Sequence, residues 1–116
     1  MARFQKFEDI EVWKKARIFT NEIYVVFKNN KDFSFRDQIQ KATISIGNNI
    51  AEGFERKGNK EFKKFLFIAK GSSGEVRSML YSALDLNYIN QDEFKDLYND
   101  SLEISKMLSG LINSLR

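Results

Sequence analysis

Cysteine, histidine and proline are all absent from the 116 residues. Without cysteine there is neither a disulfide framework nor a thiolate site, and nothing hints at an oxidising compartment. Without histidine the commonest transition-metal ligand and the commonest general base go together. No metal, no cofactor and no catalytic residue is therefore expected, and the chain is not expected to be an enzyme. The missing proline, with glycine held to six positions, leaves the helical period uninterrupted over long stretches. No run approaches the roughly 20 apolar residues that a membrane-spanning helix needs, so no membrane association is expected. The opening Met1-Ala2-Arg3-Phe4-Gln5-Lys6-Phe7 lacks the apolar segment of a signal peptide, and a cytoplasmic location is expected.

Apolar residues make up 42% of the chain and phenylalanine occurs eleven times, more burial capacity than a disordered chain carries. The length suits one domain over residues 1–116. The formal net charge of +3 is modest, but its distribution is uneven. Arg56, Lys57, Lys60, Lys63, Lys64 and Lys70 face only Glu55 and Glu61 in their stretch. Asp92, Glu93, Asp96, Asp100 and Glu103 surround Lys95 in a later one.

No segment alternates strictly between apolar and polar residues, so the chain is expected to be all-α. Four helices are expected at about 9–28, 34–56, 59–88 and 91–115. Ser34 is expected to cap the second and Asn59 the third, and Asn90 with Glu93 reads as a capping box for the fourth. The short connections predict an antiparallel up-and-down four-helix bundle. At about 100° per residue, Trp13, Ala16, Thr20, Ile23 and Phe27 form one apolar stripe on the first helix, and Val12, Phe19 and Val26 a second. Together they span roughly 200°, beyond the ~100° that faces a single core. The third helix has a main stripe from Phe62 to Ala83, flanked by Ile68, Met79 and Leu86. Either the bundle encloses these flanks, or Val12, Phe19, Val26, Ile68, Met79 and Leu86 meet neighbouring subunits of a homo-oligomer.

Polar residues run beside the apolar stripe of the second helix, and the third is interrupted by Lys70-Gly71-Ser72-Ser73-Gly74-Glu75. Each mid-helix glycine costs about 1 kcal/mol relative to alanine. Close approach of two helix backbones is one reason to carry that cost. A hydrogen-bonded structural seam through Asn49, Glu52, Ser72 and Glu75 is therefore expected, with a small-molecule or phosphate pocket as the alternative. A di-metal site fails for want of histidine. A phosphate-binding loop fails because the Gly-Lys-Ser/Thr order and the preceding strand are missing.

The run Ala42-Thr43-Ile44-Ser45-Ile46-Gly47-Asn48-Asn49-Ile50-Ala51-Glu52-Gly53 is followed by Arg56, Phe65-Leu66, Ile68-Ala69 and Gly71-Ser72 with Glu75. Together with Phe7-Glu8-Asp9-Ile10-Glu11-Val12-Trp13 near the start, it resembles the family of 23S ribosomal RNA intervening-sequence proteins over nearly the whole chain. That family in turn is similar to the accessory protein of diversity-generating retroelements, a pentameric bundle that engages nucleic acid and a reverse transcriptase. The resemblance implies a bacterial cytoplasmic four-helix bundle, a ring-like homopentamer and an association with RNA. It supplies no catalytic residue.

Nucleic-acid binding is expected through Arg56, Lys57, Lys60, Lys63, Lys64 and Lys70, with Arg3, Lys6, Lys14, Lys15 and Arg17 as possible additions, because phosphate contact needs only clustered cations. The alternative is a protein-interaction scaffold that presents a charged face to a partner such as a polymerase. Neither an RNA-recognition motif nor an aromatic stacking platform is visible, so sequence-specific readout is not expected.

Overall fold

The computed structural model describes residues 4–115. A 3-10 turn at Phe7–Asp9 precedes four α-helices: α1 (Glu11–Phe27), α2 (Phe33–Glu55), α3 (Asn59–Asp85) and α4 (Gln91–Ser114). Each helix packs on its chain neighbours and α1 closes on α4, while α1 and α3 lie diagonally apart. This is the antiparallel up-and-down bundle expected from the period, drawn out to 44 × 21 × 19 Å. Packing is most extensive between α2 and α3 and least between α1 and α4.

The helix ends follow local chemistry. α1 begins two residues later than expected, because Ile10 stays extended and buried and its amide closes the preceding turn on Phe7. Asp32, not Ser34, caps α2: its Oδ1 accepts from the Phe35 amide at 3.1 Å. The Tyr88 hydroxyl donates to Asp32 Oδ2 at 2.5 Å, tying the α1–α2 and α3–α4 connections together. That bond, with the Phe35 amide second, holds the Asp32 carboxyl below its ordinary value. Gly58, at φ +85°, occupies the capping position before α3, so Asn59 is the first helical residue rather than the cap.

α3 ends at Asp85 rather than near 88 because Asn87 turns left-handed, at φ 62°. The Tyr88 amide then returns to the Ala83 carbonyl and the Asn87 amide to Leu84, which satisfies two carbonyls left over at the helix end. The Asn90–Glu93 capping box forms as expected, at 2.8 and 2.9 Å.

The core runs the length of the bundle through Phe19, Ile23, Phe27, Ile39, Ile46, Ile50, Leu66, Val76, Leu80, Ile104 and Leu108. Full burial of each such side chain contributes about 1.5–3 kcal/mol. The wide apolar arc of α1 is taken up inside the subunit by two neighbours, α2 and α4. Val12 and Phe19 are core residues and do not offer the outward interface expected of them, whereas Val26 is half-buried against the core and lines the surface between α1 and α4. Outward on α1 stand Ile18 (61% exposed) and Val25 (68%) instead. On α3, Met79 is half-buried against the core, whereas Ile68 and Leu86 remain exposed.

Candidate nucleic-acid interface and polar seams

The α2–α3 seam is hydrogen-bonded, with a membership that differs from expectation. Ser45 and Ser72 hydroxyls meet at 2.9 Å, and the Asn49 amide donates to the Ser45 carbonyl and hydroxyl at 2.8 and 2.9 Å. Gln38 donates to Glu75 at 2.6 Å. Glu52 stays out of the seam and accepts from Arg56 at 2.7 Å on its own helix. The two carboxylates thus have separate partners and do not form a pair.

Gly53, not Gly71 or Gly74, marks the close approach of these helices. A Cβ on Gly53 would sit 2.5 Å from Phe65 Cβ, whereas one on Gly71 would meet open space.

Between α3 and α4 lies a second polar cluster, which the sequence pattern did not disclose. Ser73 and Ser101 are fully buried and exchange four hydrogen bonds or hydroxyl contacts with each other and Ser105, at 2.9–3.1 Å. Serines 101 and 105 sit one turn apart among Leu97, Ile104 and Leu108. Two hydroxyls on an apolar stripe are the signal that was available.

The basic stretch is contiguous in sequence but wound around α3. By the 100° step, Lys63 and Lys70 fall on the edge toward α4, and Lys60 and Lys64 on the outer face. Arg56 lies on the other side, over the Phe65 ring at 4.9 Å and paired with Glu52. Lys64 has Glu61 at 3.6 Å. Among the described residues, Lys57, Lys60, Lys63 and Lys70 have no carboxylate within 4.0 Å. Phe67, 57% exposed, stands on the same outer face between these lysines. It is an aromatic surface that the sequence pattern did not single out.

The cations of α1 belong elsewhere. Lys14 pairs with Glu11 at 3.1 Å, Lys15 with Asp100 at 3.6 Å, and Arg17 lies 6.0 Å from the Trp13 ring. Arg3 lies outside the described residues.

Four carboxylates of α4, Glu93, Asp96, Asp100 and Glu103, lie on its opposite edge, against α1. There a groove of about 440 Å³ has an apolar floor of Ile18, Val25, Val26 and Leu97 and acidic walls of Glu22, Glu93, Asp96 and Asp100. Burial, and then the neighbouring Asp100 charge, push the Glu22 carboxyl above its ordinary value. No described helix is long and apolar enough to cross a membrane.

Fold and surface together define a small helical bundle with unpaired lysines along the exposed side of α3 and an acidic groove between α1 and α4. A family model described as 23S rRNA-intervening sequence protein matches residues 8–110, and the chain belongs to that family. Among solved structures, a protein of unknown function from the S23 ribosomal protein family of Bacteroides thetaiotaomicron is similar. It is 30% identical, with a TM-score of 0.82 over 87% of this chain and 97% of that one. No curated protein matches the chain.

Proposed function

We propose that the protein is a non-catalytic, cytoplasmic, self-associating bundle that holds RNA by its phosphates through the basic surface of α3. The observation that carries this is the set of lysines at 57, 60, 63 and 70 without carboxylate partners, while the acids of α4 lie on the far edge. Lysines free of ion pairs are available to neutralise phosphates and so release the cations condensed on the nucleic acid. Phe67 among them gives a base a face to stack on.

Self-association is supported by the apolar side chains left outside the core, Ile18, Val25, Ile68 and Leu86. A homopentamer is the assembly that the family resemblance implies, and five weak sites in one particle would multiply one another.

The test is anisotropy of a labelled ribosomal RNA fragment, with wild type and with K60E/K63E/K64E, across a salt series. The wild type should bind with a steep salt dependence, and the folded triple variant should not bind. Unchanged affinity in that variant would remove the α3 surface from consideration. Light scattering on the same sample should give the mass of five chains.

The α1–α4 groove favours a second reading, a protein partner that lays a basic amphipathic helix on its apolar floor. Binding of such a helix that survives the α3 charge reversal would favour that partner over RNA.

A further inference from the structure

Arg77 is the charged group that the bundle leaves least accounted for. It is half-buried on the α4-facing edge of α3, and one nitrogen, Nη1, lies 2.7 Å from Ser105 Oγ. The same nitrogen is 3.2 Å from Ser73 Oγ and 3.3 Å from both the hydroxyl and the carbonyl oxygen of Ser101. The serines already satisfy one another, so they hold the guanidinium without depending on it. No described carboxylate lies within 4.0 Å of it. Charges withdrawn from water are ordinarily paired, and hydroxyl dipoles orient a cation without cancelling its charge.

Nη2 and Nε have no hydrogen-bond partner among the described residues. Nη2 lies beside Gly74, where an added Cβ would come to 3.6 Å from it. Lys70 and Lys63 precede Arg77 at seven-residue steps on the same edge, about 10.5 Å apart along the axis. The edge of α4 that faces them carries Ser101 and Ser105, its acids being turned to α1.

We infer that Arg77, anchored by the buried serines, forms an oxyanion site at the α3–α4 seam that takes a phosphate of the RNA backbone, with Lys70 and then Lys63 further along the same edge. This rests on the RNA reading above and adds to it a fixed contact. Nη2 and Nε present the planar pair of donors that matches two phosphate oxygens. The lysine row continues the contact along the chain, which suits a repeating polyanion better than a single ion.

The experiment uses the full-length protein and a single-stranded ribosomal RNA fragment. R77Q should bind it roughly tenfold more weakly. The slope of log affinity against log salt should fall by about 0.7, one single-strand phosphate contact. R77K should keep the slope and lose part of the affinity. Circular dichroism confirms that each variant folds. Independently of any variant, the Arg77 Nε–Hε resonance of the wild type should shift when RNA is added and move little with sodium phosphate alone. Saturation of that resonance by sodium phosphate, with no competition from RNA, would make this a small-anion site and overturn the backbone assignment. Full affinity and an unshifted resonance in the presence of bound RNA would also overturn it, and loss of binding in K60E/K64E would then leave the broader α3 reading standing. If the wild type binds no RNA, both fall together.

Discussion

Two glycines of the bundle have opposite reasons to exist, and exchanging each for alanine separates them. At Gly53 an added Cβ would lie 2.5 Å from Phe65 Cβ, 3.2 Å from Phe62 Cδ1 and 3.3 Å from the Phe62 carbonyl oxygen. A Cβ and a carbonyl cannot swing aside as a side-chain tip can, so α2 and α3 must move apart where they pack most extensively. Overpacking of this kind costs about 1–3 kcal/mol. The better helix propensity of alanine returns about 1 kcal/mol, which leaves G53A destabilised by up to about 2 kcal/mol. At Gly71 nothing lies within 4 Å of the added atom, so only the propensity gain of about 1 kcal/mol remains. In a domain of this size 1 kcal/mol moves Tm by about 4 °C. Urea titration followed by circular dichroism should place the midpoints in the order G71A, wild type, G53A. A G53A protein as stable as wild type would refute the claim that this glycine sets the α2–α3 separation. A G71A protein that loses stability or mass in light scattering would show that the outer face of α3 is covered in the assembly.

Three further perturbations bear on other parts of the bundle. Removing the Tyr88 hydroxyl (Y88F) should lower stability at neutral pH. Asp32 sits below its ordinary pKa mainly through that bond, so the stability it contributes is present above the unfolded-state pKa and lost as pH falls through the folded one. The difference between Y88F and wild type should shrink in acid melts. E22Q should act in the reverse sense. The Glu22 carboxyl is pushed up, so wild type gains stability as pH falls from neutral toward 4.5, while the variant is more stable at neutral pH and flatter below. S101A removes the hydroxyl that donates to the Ser73 carbonyl, while Ser73 and Arg77 keep the Ser101 carbonyl and Ser105; it should cost about 0.5–1.5 kcal/mol in urea midpoint experiments.

What was legible in the sequence was what is local. The Asn90–Glu93 box involves four consecutive residues and appears as expected. The cap of α2 was misjudged because Asp32 and Ser34 are both good caps. The choice of Asp32 is reinforced by Tyr88, a partner 56 positions away. The width of the apolar arc on α1 was visible, but width does not say which neighbour covers it, and Val12 and Phe19 turned inward to the subunit's own core. The hydrogen bonds between α2 and α3 run through Asn49, Ser72 and Glu75, whereas Glu52 finds its partner one turn along its own helix. The lysines of the third helix read as one patch because they are adjacent in sequence, and the helical winding distributes them between an edge and an outer face. The serine cluster was marked only by two hydroxyls on the apolar stripe of α4, and a hydroxyl looks the same in a sequence whether it meets water or another hydroxyl.

The unequal seams also bear on how the bundle breathes. Extensive packing joins α2 to α3, and the thinnest joins α1 to α4. The middle of the chain is thus a helical hairpin with one wing on each side, and partial opening proceeds by parting the wings. Amide protons of α1 should exchange with solvent before those facing the α2–α3 hairpin do. The acidic groove between the wings is the surface that such an opening widens first.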